Sequence, residues 1–316
     1  MRIFVPPAVQ PAQTTRPSQL REVGLLLSLS ALLQRYLPRG RGAVPRWLGK
    51  TFARDEEAFL TTRHGAKLVL SSDCYDVYAT MRLYGNAWDY LDFQICHGCT
   101  VDGGSFYDIG ANVGYMSVEM AAVSGGGVNI VAFEPQTRLA HAIKHSARLN
   151  GFTNLQVFDA LVGDRSHEAQ LFLAPASTHA SGVLDSGRPS IGTVPKEMVA
   201  IDDLVACGSI PAPTSVKMDV EGSEHLVFRG ATRTFREARP HIFLEYFWHW
   251  DPGARIRDEV EALLRSVSDY ELYGYLKAKF DHTLFRMRSA EDWQIVHGLV
   301  LRNRTRPIRS PELFEP

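Results

Sequence analysis

The sequence has few cysteines, almost no net charge and no long hydrophobic run, and each deficit excludes a class of protein. Four cysteines in 316 residues are too few for a disulfide scaffold, so we expect a reducing, cytoplasmic location. The formal net charge of -1 argues against nucleic acid as a partner, because phosphate contacts require a basic surface. With no internal repeat or heptad pattern either, the composition is that of a globular protein.

The longest apolar run near the N-terminus, Val23 to Leu33, is too short to cross a membrane. A spanning helix needs about 20 residues. Two interpretations stay open for this basic-flanked segment: a helix packed on the domain, or contact of residues 20–37 with a membrane surface. Residues 1–19 are rich in Pro, Gln and Thr and are predicted to be disordered.

From Ser105 onward, short β-branched or aromatic runs alternate with helical stretches. This alternation predicts a mostly parallel sheet with helices on both faces. We expect a helical extension and lead-in over 20–100, the main domain over 101–305 and a tail over 306–316. Residues 174–195 show no periodicity and predict a long loop. The last two strands, 271–275 and 295–301, are expected to pair as a hairpin around an excursion.

Cys96 and Cys99 form a short cysteine pair around His97 and Gly98. Such a pair could be redox-active or half of a zinc site, but no second pair follows at metal spacing. We therefore interpret the pair as two reduced thiols near the end of a helix.

The first strand of the alternation ends in a glycine-bearing turn that begins a helix. Asp108, Gly110, Asn112 and Gly114 lie in this turn, where an open α/β sheet binds its ligands. The glycines allow close backbone approach, and Asn112 tolerates a left-handed conformation. Glu134 ends the second strand, where a carboxylate can accept hydrogen bonds from a ribose diol.

The charge of this turn separates two cofactor classes. A dinucleotide would place a pyrophosphate on the helix N-terminus and would favour a further glycine where the sequence has Asn112. Asp108 would repel that phosphate, whereas it suits the ammonium and sulfonium of S-adenosylmethionine, directly or through water. The turn predicts S-adenosylmethionine, and a dinucleotide-dependent oxidoreductase is the less favoured alternative.

A second polar segment follows a later strand and carries Lys217, Asp219 and Glu221. Alternate residues of an extended chain share one face, so these three side chains are expected to lie together. One carboxylate could be a general base, both could bind a divalent cation, or one could hold the cofactor's ammonium. Glu224 is expected to satisfy amides at the start of the next helix, and His225 to pack rather than to react.

Glu245 ends another strand and precedes a run of aromatic residues. At a strand end it could accept a hydrogen bond from a substrate hydroxyl while aromatic faces stack on a sugar. The alternative is a buried carboxylate beside a core aromatic cluster, and we expect Phe247 to pack in the core.

At these motifs the sequence resembles the FkbM-like methyltransferases, class I enzymes that use S-adenosylmethionine and mostly methylate hydroxyl oxygens of sugars and secondary metabolites. The similar segments are 107–115, 132–135, 160–164, 201–204, 216–224 and 240–245. The resemblance implies a Rossmann-like seven-stranded sheet whose last strand is antiparallel, and it implies cofactor binding by Asp108, Gly110, Asn112, Gly114 and Glu134. It also implies that adenine lies near Asp159 and Ala160. Asp89 stands where the family often has Glu.

The resulting prediction is an O-methyltransferase with Lys217, Asp219 and Glu221 as catalytic candidates and Glu245 at the acceptor. Its partner would be a small molecule or glycan that accepts the methyl group. The accepting group would be a hydroxyl of a sugar, glycolipid or secondary metabolite. A divalent metal held by Asp219 and Glu221 stays open as an additional cofactor. N-methylation of an amino sugar and a non-catalytic binding module are the alternatives, and no oligomeric state is predicted.

Overall fold

The structure, a computed structural model, describes residues 21–22, 58–70, 74, 90–173, 190–248, 251, 253–277 and 282–314. The predictions for residues 1–19, the apolar run, Asp89 and most of the long loop lie outside these residues.

Fourteen strands are formed within the described residues. Their bounds are β1 Arg21–Glu22, β2 Ala58–Thr61, β3 Lys67–Leu70, β4 Ser105–Ile109, β5 Asn129–Phe133, β6 Leu155–Phe158, β7 Leu161–Val162, β8 His167–Leu173, β9 Gly192–Val199, β10 Ser215–Met218, β11 His241–Glu245, β12 Tyr270–Lys277, β13 His282–Arg286 and β14 Gly298–Asn303.

Eight α-helices accompany these strands in the described part of the chain. They are α1 Tyr90–Gly98, α2 Tyr115–Ser124, α3 Thr137–Asn150, α4 Ile201–Ala206, α5 Glu224–Gly230, α6 Thr232–Ala238, α7 Arg255–Ser266 and α8 Asp292–Ile295. A 3₁₀ turn, Pro311–Phe314, follows near the C-terminus. None of the helices described is both long and apolar enough to cross a membrane.

The central sheet has eight strands in the order β13-β12-β14-β11-β10-β4-β5-β6. Strands β6, β5, β4, β10 and β11 run parallel, whereas β14 lies antiparallel between β11 and β12. This is the predicted Rossmann-like α/β fold with one correction: the sheet has eight strands rather than seven. The additional strand is β13, which adds an antiparallel edge within the expected excursion between β12 and β14.

Alternating side chains of the central strands enter two separate hydrophobic cores. Tyr107 and Ile109 of β4 pack in one core with residues of α5, α6 and α7. Phe106 packs on the opposite face with residues of α1 and α2. The sheet therefore has helices on both faces, as the alternation of strands and helices predicts.

Two smaller sheets depart from the sequence predictions. Strands β1, β2 and β3 form a three-stranded sheet. Its strand β3 coincides with a strand that the sequence predicts at residues 67–70, whereas residues 21–22 and 58–61 are strands where a helical extension is expected. Strands β7, β9 and β8 form another, and β9 includes the last four residues of the predicted loop, 192–195. The predicted cysteine pair is buried at the end of α1, and burial raises the pKa of the Cys99 thiol to about 12.

Candidate active site

The registers of the parallel strands place the predicted site residues in one row. Leu244, Met218, Ile109, Phe133 and Phe158 are successive partners across five neighbouring strands. The residues that directly follow them form a row at the carboxyl edge of the sheet. This row consists of Glu245, Asp219, Gly110, Glu134 and Asp159.

Gly110 joins the cofactor turn to the segment after β10. Its φ is +79°, and a Cβ atom at this position would lie 1.9 Å from the carbonyl oxygen of Asp219. The Asp219 amide also donates to the Ile109 carbonyl at 3.0 Å. Only glycine allows this backbone approach, so the two motifs that the sequence places 109 positions apart form one structural unit.

Lys217 lies between two carboxylates. Its Nζ atom is 3.4 Å from Asp108 Oδ1 and 3.6 Å from Asp219 Oδ2, and it donates to the Gly110 carbonyl at 2.9 Å. Asp108 is fully buried and accepts a hydrogen bond from Ser117 Oγ at 2.5 Å. Asp108 thus lies beneath the turn, and its charge is balanced by Lys217.

Residues 220–223 form a tight turn with unusual backbone geometry. The Ser223 amide donates to the Val220 carbonyl at 3.3 Å. Glu221 and Gly222 have φ angles of 56° and 94°, the two positive values of a type I′ turn. Asn, Asp and Gly are preferred in such turns, and a bulkier residue at positive φ is strained by about 1–2 kcal/mol. Glu221 therefore has a left-handed backbone conformation, which is unfavourable for glutamate.

Glu224 fixes this turn from the first position of α5. Its Oε1 atom accepts hydrogen bonds from the amides of Val220 at 3.0 Å and Gly222 at 3.4 Å. Burial raises the pKa of this carboxyl to about 7, against the lowering effect of these amides. Glu224 begins α5, as the sequence predicts, and the two amides that it binds belong to the turn that precedes the helix.

Glu134 connects the cofactor turn to the next strand-to-helix turn. One carboxylate oxygen accepts from the Asn112 amide and the other from the Gln136 amide, both at 2.8 Å. Burial raises the pKa of Glu134 to about 8, although these two amides oppose the shift. A carboxylate has about four acceptor positions, so each oxygen can still accept a ligand hydroxyl.

The remaining residues of the cofactor turn have distinct places. Asn112 adopts the expected left-handed conformation, with a φ of 53°. Its buried Oδ1 atom has no hydrogen-bond partner among the described residues. Gly114 allows α2 to pack on α3, because a Cβ there would lie 2.5 Å from Ile143.

Asp159 and Ala160 follow β6 and form the far end of the row. Ala160 is buried in the core, whereas the Asp159 side chain is 26% exposed and contacts the ammonium of Lys196. Lys196 also donates to Thr137 Oγ1 at 2.9 Å. Sequence reasoning did not identify Lys196, because its strand lay within or beside the predicted loop.

The end of β11 carries both buried and exposed aromatic residues. Tyr246 is buried in the core against Trp293, with 5.5 Å between ring centroids. Phe247 is half-buried and contacts the ring of His297, and Trp248 is 56% exposed. Glu245 is half-buried at the same edge, and these aromatic residues directly follow it in the chain.

Two further expectations concern His225 and a possible metal ion. Burial lowers the pKa of His225, and the charge of Arg255 at the start of α7 lowers it further. The side chain is buried, so His225 packs in the protein, as expected. Within the described ranges, no three His, Cys, Asp or Glu side chains are grouped so as to hold a metal ion.

The arrangement fits the cofactor that the sequence predicts. The buried Asn112 Oδ1 atom is an acceptor for a ligand donor. Glu134 and Asp159 add carboxylates along the row where a nucleoside would lie. These groups offer hydrogen-bond acceptors to the hydroxyl and amino donors of a nucleoside such as S-adenosylmethionine.

Comparisons with known proteins agree with this chemistry at the level of the family. The model of the methyltransferase FkbM domain matches residues 108–277, more than half of the chain. No curated protein matches the chain significantly.

Three solved structures illustrate the likeness. The chain is similar to a methyltransferase FkbM from Methylobacillus flagellatus KT, with 17% identity, a TM-score of 0.44, and coverage of 72% of this chain and 53% of that one. It is similar to an S-adenosylmethionine-dependent O-methyltransferase from Thermotoga maritima, with 10% identity, a TM-score of 0.35, and coverage of 69% and 65%. It is also similar to Aeropyrum pernix fibrillarin with natively bound S-adenosyl-L-methionine, with 11% identity, a TM-score of 0.37, and coverage of 67% and 73%.

The chain spans about half the length of the Methylobacillus structure. The family assignment depends on the matched domain, which contains the cofactor turn, Glu134, the Lys217 to Glu224 segment and Glu245. Its family uses S-adenosylmethionine, as the charge of the cofactor turn predicts. The chain belongs to the FkbM family of methyltransferases.

Proposed function

We propose that this protein is an S-adenosylmethionine-dependent O-methyltransferase that acts on a hydroxyl of a sugar, glycolipid or secondary metabolite. The observation that supports this most directly is the backbone contact of Gly110 with Asp219. Through it, a turn suited to the cofactor adjoins a segment with two carboxylates and a lysine. Methyl transfer requires such proximity, because the acceptor oxygen must align with the methyl group.

The cofactor would be held along the row of strand ends. Glu134 would accept the ribose hydroxyls, the Gly110 to Gly114 turn would contact the methionine part, and Asp159 and Ala160 would lie at the adenine. When bound, S-adenosylmethionine supplies an electrophilic methyl group on a sulfonium centre. Asp108 contributes through Lys217, whose ammonium it faces at 3.4 Å beneath the turn.

Glu221 is the stronger candidate for the general base. The Lys217 ammonium lies 3.6 Å from Asp219 and holds the orientation of that carboxylate, and it is shared with Asp108 at 3.4 Å. Glu221 instead occupies a left-handed position that Asn or Gly would fill with less strain. Strain of this kind concentrates at functional sites. In this proposal Glu221 takes the proton of the acceptor hydroxyl, and Asp219 and Lys217 orient the reactants.

The acceptor would bind where β11 ends. Glu245 adjoins Asp219 in the row, and the exposed Trp248 offers an aromatic face nearby in the chain. A carboxylate and an aromatic face are the groups that recognise the hydroxyl and apolar sides of a sugar ring. These two residues support a glycan-like acceptor, and the cytoplasmic location inferred from the four cysteines remains part of the proposal.

Isothermal titration with S-adenosylmethionine, S-adenosylhomocysteine and NAD tests the cofactor. Binding of the first two and not of NAD is expected, and binding of NAD alone would refute the proposal. A methyl-transfer screen of hydroxyl and amine acceptors, with and without a chelator, then separates O- from N-methylation and metal-dependent from metal-independent transfer.

The reacting residues are tested in the same transfer assay. Asp219→Ala and Glu221→Ala should each bind S-adenosylhomocysteine yet lose turnover. If both variants keep wild-type turnover, the reacting site has been placed wrongly. Glu312→Ala serves as a surface control, since Glu312 lies in the exposed C-terminal turn.

A further inference from the structure

Lys196 is a partly buried cation at the far end of the row of site residues. Its side chain is 12% exposed, and a lysine withdrawn this far from water is usually paired. Its ammonium contacts the Asp159 carboxylate and donates to Thr137 Oγ1 at 2.9 Å. An ammonium with two fixed partners is held in one place.

The register of the small sheet explains why Lys196 meets Asp159. Strand β9 runs parallel to β7, with Met198 paired to Leu161 and Val199 to Val162. Continuing this register back by two residues brings Lys196 level with Asp159. Lys196 and Met198 share one face of β9, since side chains alternate along a strand. The contact therefore matches the register of β7 and β9, whose pairing itself ends at Leu161 and Met198.

The two partners of Lys196 belong to different loops of the proposed cofactor site. Thr137 begins α3, directly after the turn in which Glu134 binds the Gln136 amide. Asp159 directly follows β6 and is the neighbour of Glu134 in the row. Lys196 thus joins the loop beside the ribose position to the loop beside the adenine position.

The chemistry of an ammonium suits the edge of an adenine ring. A lysine ammonium has three N–H donors, and the contacts to Asp159 and Thr137 account for two of them. Adenine offers ring nitrogens as acceptors and an exocyclic amino group as a donor. A carboxylate and an ammonium side by side match that pattern of one donor and one acceptor.

We propose that Lys196 is an adenine-binding residue of the cofactor site, which donates its third N–H to a ring nitrogen while it holds Asp159 to accept from the exocyclic amino group. This inference depends on the proposed function, because it requires a cofactor with an adenine ring. It identifies strand β9 as part of the cofactor site, in addition to the strand ends of the central sheet.

The test is isothermal titration of the full chain with S-adenosylhomocysteine and its 1-deaza, 3-deaza and 7-deaza analogues, each of which lacks one ring nitrogen. Wild-type protein should bind one of the three analogues roughly tenfold more weakly than the parent compound, as expected for the loss of a charged hydrogen bond. Lys196→Met should bind the parent compound roughly tenfold more weakly as well. Lys196→Met should bind that same deaza analogue as tightly as it binds S-adenosylhomocysteine.

Two further variants complete the design. Lys196→Arg keeps the charge and should retain the preference for the parent compound. Lys67→Met removes an equal charge from an exposed position on β3 and should bind all four compounds as the wild type does.

The outcomes separate the inference from the function on which it depends. If Lys196→Met weakens all four compounds by one common factor, or none of them, Lys196 does not contact the ring and the inference is overturned. If Lys196→Met does not fold, the wild-type series decides, and equal affinities for all three deaza analogues and the parent overturn the inference. If the wild type binds none of the four compounds, the proposed function itself fails.

Discussion

Replacing Glu221 by Asn should make the protein more stable and less active at the same time. Glu221 is the first central residue of the type I′ turn, with a φ of 56°. Asn tolerates this conformation because its short polar side chain hydrogen-bonds locally. The substitution replaces the Glu221 carboxylate with an amide, so the proposed base is lost while the backbone strain is relieved.

The size of both effects can be estimated from the structure. Strain of about 1–2 kcal/mol at a left-handed residue should be relieved in part, so we expect a gain of about 0.5–1 kcal/mol in the free energy of unfolding. For a chain of 316 residues this raises Tm by about 1 °C, so urea denaturation is the better measurement. Turnover should fall by about 100-fold or more, as expected for the loss of a general base.

Arg239→Asn is the matched control for this experiment. Arg239 has a similar φ of 50° but precedes β11, at the opposite edge of the sheet. The variant also loses an exposed ion pair with Asp269, so its stability should change little, and its turnover should equal that of the wild type. A Glu221→Asn variant that is less stable, or that retains full turnover, would refute the assignment of strain to function.

Three further predictions concern buried titratable groups. Glu224→Ala should lower the free energy of unfolding by about 1–3 kcal/mol in urea denaturation and reduce turnover, because it leaves the turn amides unpaired. Glu224→Gln keeps an acceptor oxygen and should retain most of the stability and most of the turnover. Equal effects of the two variants would contradict this role. Burial raises the pKa of Glu134 to about 8, so affinity for S-adenosylhomocysteine should fall by about tenfold per pH unit well below pH 8, and Glu134→Gln should abolish that slope in titration calorimetry. Burial lowers the pKa of His241 to about 4, so its neutral form stabilises the fold fully above pH 6.5, and about 3 kcal/mol is lost as pH falls from 6.5 through 4. Urea denaturation at several pH values should show that loss in the wild type and a smaller one in His241→Gln.

The sequence predicts the row of site residues well because that row depends on strands with strong local signals. β4, β5, β6 and β10 are short runs of apolar residues bounded by turn residues. The sequence predicts strands over the same residues, 105–109, 129–133, 155–158 and 215–218. Parallel pairing then brings their carboxyl ends to one edge without further information. The contact of Gly110 with Asp219 could not be predicted, because it depends on a register between strands far apart in sequence.

The sequence did not predict the sheet of β7, β9 and β8, for a different physical reason. Strand β9 contains Pro195, and proline in a run of residues argues against a strand with two neighbours. In the structure Pro195 pairs only with Gln170 of β8, since β7 reaches no further along β9 than Met198 and Val199. The proline thus lies at a locally unpaired edge, and its strand carries Lys196, the site residue that went unpredicted.

The close approach at Gly110 also limits how this enzyme could acquire a new specificity. A Cβ at that position would lie 1.9 Å from the Asp219 carbonyl oxygen. The cofactor turn and the segment that carries Asp219 and Glu221 are therefore coupled, and neither can shift without the other. A mutation that reshapes one of them for a new acceptor would disturb cofactor binding by the other. Divergence in substrate choice should therefore accumulate away from this junction, in the residues around Trp248 and in the chain segments outside the matched domain. A comparison of related enzymes with different acceptors would reveal this as an invariant junction surrounded by variable loops.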